Sequence, residues 1–341
     1  MGITVIPTNL NIFVGITICE FMVLKKRKVK GKIYYYLEKN IRLGEKKWKT
    51  FSIYLGPKKP NKKQMSKYEK KLKGKIQDFI KTRILGPGTK YIDEKTALLL
   101  ERIKTSHKRV LGALNKTSKE NYLKWQRQAF ITNTNAIEGS RLSLEQTKRI
   151  LDLRNKYEVE DVEELEVVNM EQCLEFYDTL LEKKTELNEK LILRLHLLLL
   201  KAIPSYEAYA GVWRPVNIYI RGSKYVFPDW KRVPKLMYEL MIWYKKNKDK
   251  IHPVELAAEF HARFVTIHPF ADGNGRMARL LLNYILQINE FPFTDIPVTK
   301  RDEYFETQEK GHFRKYKPFV LFLVWEIKEQ FNVLKRKIRK K

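Results

Sequence analysis

Two apolar helical stretches are joined by a short glycine-containing loop within the run His268-Pro269-Phe270-Ala271-Asp272-Gly273-Asn274-Gly275-Arg276, with Arg279 following. Residues 253–267 (PVELAAEFHARFVTI) open on a proline suited to a first helical turn. Residues 276–289 (RMARLLLNYILQIN) are apolar on most sides, which predicts a central helix. The chain must therefore reverse between two packed helices through a short glycine loop. Gly273 and Gly275 allow a tight turn that aims backbone N–H groups outward, an anion site continued by the start of the next helix. Arg276 and Arg279 lie three apart, hence on one face, and can fork phosphate oxygens. Asp272 can hold Mg²⁺, an ion that usually sits between one or two carboxylates and substrate phosphates. His268 is placed to take a proton from an attacking hydroxyl, and Phe270 is expected to pack inward and lock the loop.

This run, His-x-Phe-x-Asp-Gly-Asn-Gly-Arg-x-x-Arg, resembles the signature of the Fic family, enzymes that mostly transfer AMP from ATP onto a protein hydroxyl. Farther upstream, Thr134-Asn135-Ala136-Ile137-Glu138-Gly139 looks like the inhibitory signature Ser/Thr-x-x-x-Glu-Gly/Asn that accompanies many Fic domains. Thr134 and Glu138 share a face if the helical pattern of residues 120–131 continues, and Gly139 suits a helix end. Ser143-Leu144-Glu145-Gln146 reads as a capping box opening the next helix. The resemblance implies that Glu138 pairs with Arg279 and withholds that guanidinium from the ATP γ-phosphate. In some relatives the same glutamate positions water to hydrolyse AMP off the target, and the sequence leaves the direction of the net reaction open.

Residues 211–228 carry two β-rich runs around Arg221-Gly222-Ser223 and read as a hairpin. Fic proteins hold such a flap beside the site, pairing with an extended target segment by strand addition. The resemblance places Ile220, Arg221, Gly222 and Ser223 over the nucleotide. Tyr304 and Phe305 resemble the aromatic pair that borders the adenine. The Asn that many relatives place after that pair is missing from Glu309-Lys310-Gly311-His312, and Asn283 is the candidate polar contact instead. Members that use other nucleotides, or transfer phosphate or phosphocholine, stay open; the Asp-Gly-Asn-Gly loop favours nucleotidyl transfer.

The two cysteines, Cys19 and Cys173, give no disulfide framework and suggest a reducing, cytoplasmic setting. No run of apolar residues is long enough to predict a membrane span. His196, inside LILRLHLLLL, is expected to be a satisfied core histidine. Charge is uneven. Of a formal +29, residues 22–75 carry 20 Lys/Arg against 3 Asp/Glu. Lys32-Ile33-Tyr34-Tyr35-Tyr36-Leu37 and Lys47 to Gly56 read as strands around a Leu43-Gly44-Glu45 turn, with Val23 to Val29 as a third. Basic residues interleaved with aromatics on a small sheet are the footprint of contact with nucleic acid or another acidic partner. The stretch also faintly resembles the three-stranded arm domains of some integrases and transposases.

The expected architecture is mainly α: a Fic-type helical core with a β-hairpin flap, preceded by a small basic β domain. Residues 1–21 are expected to be a mis-called start or a disordered arm, and 22–57 the β domain. A lysine-rich linker and helix follow at 58–95, broken at Gly86-Pro87-Gly88, then a helical region with the inhibitory motif at 96–180. The Fic core at 181–330 and a basic tail at 331–341 complete the chain. The expected reaction is transfer of AMP from Mg·ATP to a Ser, Thr or Tyr hydroxyl. Its partners are a protein substrate, the chain itself as a target, and a second copy in a homodimer. The alternative is a nucleic-acid-binding regulator whose Fic core senses nucleotide.

Overall fold

The computed structural model describes residues 22–42, 48–153, 161–220 and 222–339. The expected leader at 1–21, the Leu43-Gly44-Glu45 turn, Arg221 and the last two residues of the basic tail lie outside them. The described residues form two compact units, one of residues up to Gly86 with Asp93–Ser106, the other of Pro87–Ile92 with residues from His107 onward.

In the first unit, β1 (Val23–Val29), β2 (Lys32–Arg42) and β3 (Trp48–Gly56) form an antiparallel sheet in the order β1-β2-β3. Alternation along β2 and β3 buries Leu37, Ile41, Phe51, Ile53 and Leu55 on one face. That core does not close within residues 22–57. Helix α1 (Lys62–Ile80), opened by an Asn61/Gln64 capping box, adds Leu72 and Ile76 to the same cluster.

The second unit is helical. After α2 (Glu94–Ala113) come α3 (Lys116–Glu138), α4 (Leu144–Leu153), α5 (Val162–Glu182), α6 (Glu189–Leu199), α7 (Val233–Asn247), α8 (Pro253–Ile267), α9 (Asn274–Ile288), α10 (Arg301–His312) and α11 (Lys317–Arg339). Helix α9 is buried from Arg276 through Leu286, which makes it the axis around which α3, α5, α6 and α8 pack. The helical pattern of α3 does continue past Ile131 to Glu138, where Gly139 (φ 120°) ends it. The Ser143/Gln146 capping box forms in both directions.

Two side-chain bridges fix α3 against the segment between α9 and α10 and against the first residue of α10. Asn133 donates to the Asp295 carboxylate at 2.5 Å and accepts from the Val298 N–H at 3.1 Å, and Arg301 Nε donates to the Ile137 carbonyl at 2.8 Å. Behind them lies an acid pair. Burial pushes the Asp295 carboxyl up to about 6 and the Glu326 carboxyl up to about 7, and the Asp295 charge adds to the rise at Glu326. A group whose folded value lies above its unfolded one stabilises at low pH and loses that contribution as pH rises through the folded value. Glu326→Gln should therefore melt higher than the wild type at pH 8, by about 2 °C or more, with the gap closing at pH 5. An equal gap at both values in thermal melts would contradict ionisation of Glu326 as the cause.

Candidate active site

Helix α8 stops because His268 adopts the left-handed conformation (φ 52°) and Pro269 follows. Four residues after Pro269 the chain re-enters a helix through Gly273 (φ 75°), where an added Cβ would meet Leu199 at 3.0 Å. No side chain caps α9 and no acid occupies its first turn, so its leading N–H groups are left for a ligand. The loop is braced from within. Asn274 accepts from the Phe270 N–H at 2.9 Å and donates to the Phe270 carbonyl at 2.8 Å. Phe270, fully buried as expected, stacks on His196 with centroids 3.5 Å apart. His196 takes a hydrogen bond from the Gly211 N–H on Nδ1, so Nε2 carries the proton and donates to the Asp272 carbonyl at 3.1 Å. This core histidine thus ties the base of the flap to the glycine loop.

A cavity of about 690 Å³ opens over the junction, a size suited to a nucleotide. Its walls include Glu138, Ser223, His268, Asp272, Gly275 and Tyr304. His268 Nδ1 lies 3.2 Å from the Val265 carbonyl, an atom that can only accept, so Nδ1 holds the proton and Nε2 is the ring's basic atom. Burial is the main force lowering its pKa to about 4, aided by Arg214 and His312 and opposed by the Val265 carbonyl and Glu138. The imidazole is neutral at pH 7 and able to accept a proton.

Arg279 is 1% exposed and fully spoken for. Nε donates to Thr134 Oγ1 at 2.8 Å, and Nη2 donates to the Thr134 carbonyl at 2.8 Å and to Glu138 Oε1 at 2.7 Å. Nη1 lies 3.4 Å from the Tyr304 hydroxyl. Burial alone would raise the Glu138 carboxyl, but Arg279, with smaller help from Arg276 and His268, brings it below the ordinary range. Gly275 makes the approach feasible: a Cβ there would come within 2.2 Å of Glu138 Oε1. Thr134 and Glu138 therefore share the helical face that their spacing implied, and that face meets Arg279.

Arg276, 2% exposed, is shared between Glu166 Oε1 at 2.5 Å and Asp272 Oδ2 at 2.7 Å, while its buried Nε has no partner. Glu166 was not foreseen. The available signal was an acid adjoining the apolar stripe of α5, which includes Val167 and Met170. Asp272 keeps its second oxygen free of these bonds and lines the cavity. A single carboxylate beside a helix N-terminus fits Mg²⁺ held jointly with phosphates; among the described residues there is no cluster of three acids, histidines or cysteines fit to hold a metal alone.

The flap turns at Ser223, whose N–H bonds the Ile220 carbonyl at 3.2 Å, with Gly222 at φ 88°. Its two arms form no strand ladder among the described residues. Side chains take the ladder's place at its base. Buried Arg214 donates from Nε to the His268 carbonyl at 2.8 Å, from Nη1 to the Val216 carbonyl at 2.7 Å and from Nη2 to the Pro228 carbonyl at 2.6 Å. Pro215 and Pro228 lack the N–H groups a ladder would use there. At the tip, Glu309 accepts from the Ser223 hydroxyl and the Lys224 N–H, holding the turn over the cavity. Neither Arg214 nor Glu309 was singled out in the sequence.

Of the expected nucleotide contacts, Ile220, Gly222, Ser223, Asp272, Gly273, Asn274, Gly275, Tyr304 and Phe305 line the cavity together. Arg276 and Arg279 lie buried behind that wall through the partners given above. Asn283 is elsewhere: its amide is consumed by the Arg279 and Thr294 carbonyls and the Thr294 N–H. Phe305 is 38% exposed beneath Arg301, whereas Tyr304 is buried and bonded to His261. The ring of Tyr304 is thus core, and Phe305 is the one open to a base.

Residues 186–286 match the model of the Fic/DOC family, and the chain carries a domain of that family. It is 31% identical over 214 residues to a protein adenylyltransferase Fic of Drosophila grimshawi, covering 62% of this chain and 42% of the relative. The corresponding protein of Drosophila ananassae is 32% identical, with 62% and 41% covered. The chain thus spans about two fifths of the length of these curated relatives. A Fic-1 structure from C. elegans shares the fold (TM-score 0.63, 24% identity, 82% of this chain and 79% of that one). So does a Fic family protein from Desulfovibrio desulfuricans G20 (TM-score 0.56, 27% identity, 75% and 77%).

Truncating the buried Arg214 would take the side-chain donor from three carbonyls, those of Val216, Pro228 and His268. Arg214→Ala should lose about 3 kcal/mol or more of stability in urea titrations. It should also speed proteolytic cutting between Val216 and Val226. Unchanged cutting would show that the flap does not depend on this side chain.

Proposed function

We propose that the protein transfers AMP from Mg·ATP to the hydroxyl of a protein Ser, Thr or Tyr, and that Glu138 holds this activity down. The observation that carries the reading is the meeting, at one helix junction, of a neutral imidazole, an uncapped helix N-terminus and two buried guanidinium groups. His268 Nε2 would accept the proton of the attacking hydroxyl as oxygen bonds to the α-phosphorus and the bond to the pyrophosphate breaks. Gly273, Asn274 and Gly275 would cradle phosphate oxygens through their N–H groups. Arg276 would neutralise the leaving pyrophosphate, and Arg279 would hold the γ-phosphate when Glu138 releases it. Mg²⁺ held by Asp272 would offset phosphate charge. Positioning and electrostatic stabilisation would carry most of the rate. The exposed flap residues Tyr219 and Val226 would offer an edge to an extended target segment. The fold and the adenylyltransferase names of the relatives support the same reading.

Removing Glu138 frees a guanidinium that keeps Thr134 and Tyr304 as partners, so the variant should remain folded. With α-labelled ATP, Glu138→Gly should raise self-labelling by about tenfold or more, and adding His268→Ala should abolish it. Equal labelling of wild type and Glu138→Gly would remove the inhibitory role. Nucleotide binding with no covalent label in either protein would favour the nucleotide-sensing alternative.

The base works when unprotonated, above its pKa. Because burial sets the His268 value near 4, labelling by Glu138→Gly at saturating ATP should stay level from pH 8 down to about 5.5. An acid limb centred near 6.5, the ordinary histidine value, would contradict burial as the control of its ionisation.

A further inference from the structure

The sheet of the first unit has a second face that its core does not use. The register places Tyr36 opposite Lys25 on β1 and opposite Tyr54 on β3, and Tyr34 opposite Arg27. Since Leu37 and Ile41 point to the core, Tyr34, Tyr36, Lys25, Arg27 and Tyr54 share the other side. The three rings form a continuous patch, with the Tyr54 centroid 6.0 Å from Tyr34 and 5.4 Å from Tyr36. Tyr54 is 52% exposed. The Arg27 guanidinium lies 4.7 Å over the Tyr36 ring. Glu38, the acid on this face, is neutralised by Lys25 at 3.6 Å and by Arg27. It fixes where the cations stand rather than adding net negative charge.

We infer that this face binds single-stranded nucleic acid, its bases stacking on Tyr34, Tyr36 and Tyr54 while Lys25 and Arg27 meet the phosphates. Charge selects a polyanion: residues 22–75 carry 20 basic and 3 acidic side chains. The rings select among polyanions. An acidic polypeptide has no flat faces to stack, and the bases of a duplex are already covered by their neighbours. Open bases gain from an aromatic platform whatever their sequence. The inference stands apart from AMP transfer, because every group it uses lies in the first unit.

The test is a fluorescence-anisotropy titration of the full chain with a labelled mixed-sequence DNA oligonucleotide, single-stranded and as a duplex, across a salt series. The wild type should bind the single strand more tightly, with affinity falling as salt rises. Tyr36→Leu/Tyr54→Leu should weaken binding about tenfold with the salt dependence unchanged, and circular dichroism melts would show that it is folded. Lys25→Gln/Arg27→Gln should weaken binding and flatten the salt dependence. Lys70→Gln/Lys71→Gln, on exposed positions of α1, should change affinity by less than about threefold. Four outcomes would each overturn the inference: no salt-sensitive binding, a folded tyrosine variant that binds like the wild type, tighter binding to the duplex, or an equal loss in the α1 variant. Preferential competition by polyglutamate would do so as well.

Discussion

A guanidinium buried in a helical core must find an anion, and Arg279 finds Glu138. Helix α9 is enclosed on all sides, yet its first two turns carry Arg276 and Arg279 at 2% and 1% exposure. Unpaired, each would face a desolvation penalty of several kcal/mol. The chain meets this need with acids from other helices, Glu138 from α3 and Glu166 from α5. These pairs join α3 and α5 to the start of α9. The positive end of that helix is consequently surrounded by partners that a phosphate could replace. Structure and proposed chemistry share one requirement, a counter-charge for α9, which either the protein or a substrate can supply.

The two pairs differ in what competes for them. Arg276 bridges Glu166 and Asp272, so it is held on both sides and its partner Asp272 remains part of the cavity wall. Arg279 meets Glu138 at a point on the cavity wall where the missing side chain of Gly275 leaves room for the carboxylate. Thr134 and Tyr304 also hold the guanidinium, so withdrawal of Glu138 leaves it placed and charged rather than stranded. That separation between positioning and charge neutralisation suits a contact meant to open. The flap adds a second layer of placement. Arg214 links its base to the carbonyl of His268 itself, and Glu309 pins its tip, so the covering segment and the basic imidazole are set by one hydrogen-bonded framework.

Much of this could be seen in the sequence because it is local. Pro253 and the glycine loop set the ends of α8 and α9, the Ser143/Gln146 box starts α4, and the spacing of Thr134 and Glu138 puts them on one helical face. What stayed hidden depends on contacts far apart in the chain. Glu166, Arg214 and Glu309 are ordinary charged residues until folding brings them to Arg276, His268 and Ser223. His196 looked like core filler, and it is buried, but both its nitrogens are engaged in joining Gly211 to Asp272. Asn283 sits one turn beyond Arg279 and so looked available to a ligand; the fold turns its amide to Thr294 instead. The flap's expected strands gave way to side-chain bonds because prolines stand where ladder donors were needed.

A crystal structure of Glu138→Gly with Mg²⁺ and a non-hydrolysable ATP analogue tests the central claim most directly. The account predicts the triphosphate on the N–H groups of Gly273 to Gly275, its terminal phosphate on Arg279 and its α-phosphorus facing His268 Nε2. A nucleotide bound away from that junction, or an Arg279 that meets no phosphate once Glu138 is gone, would contradict it.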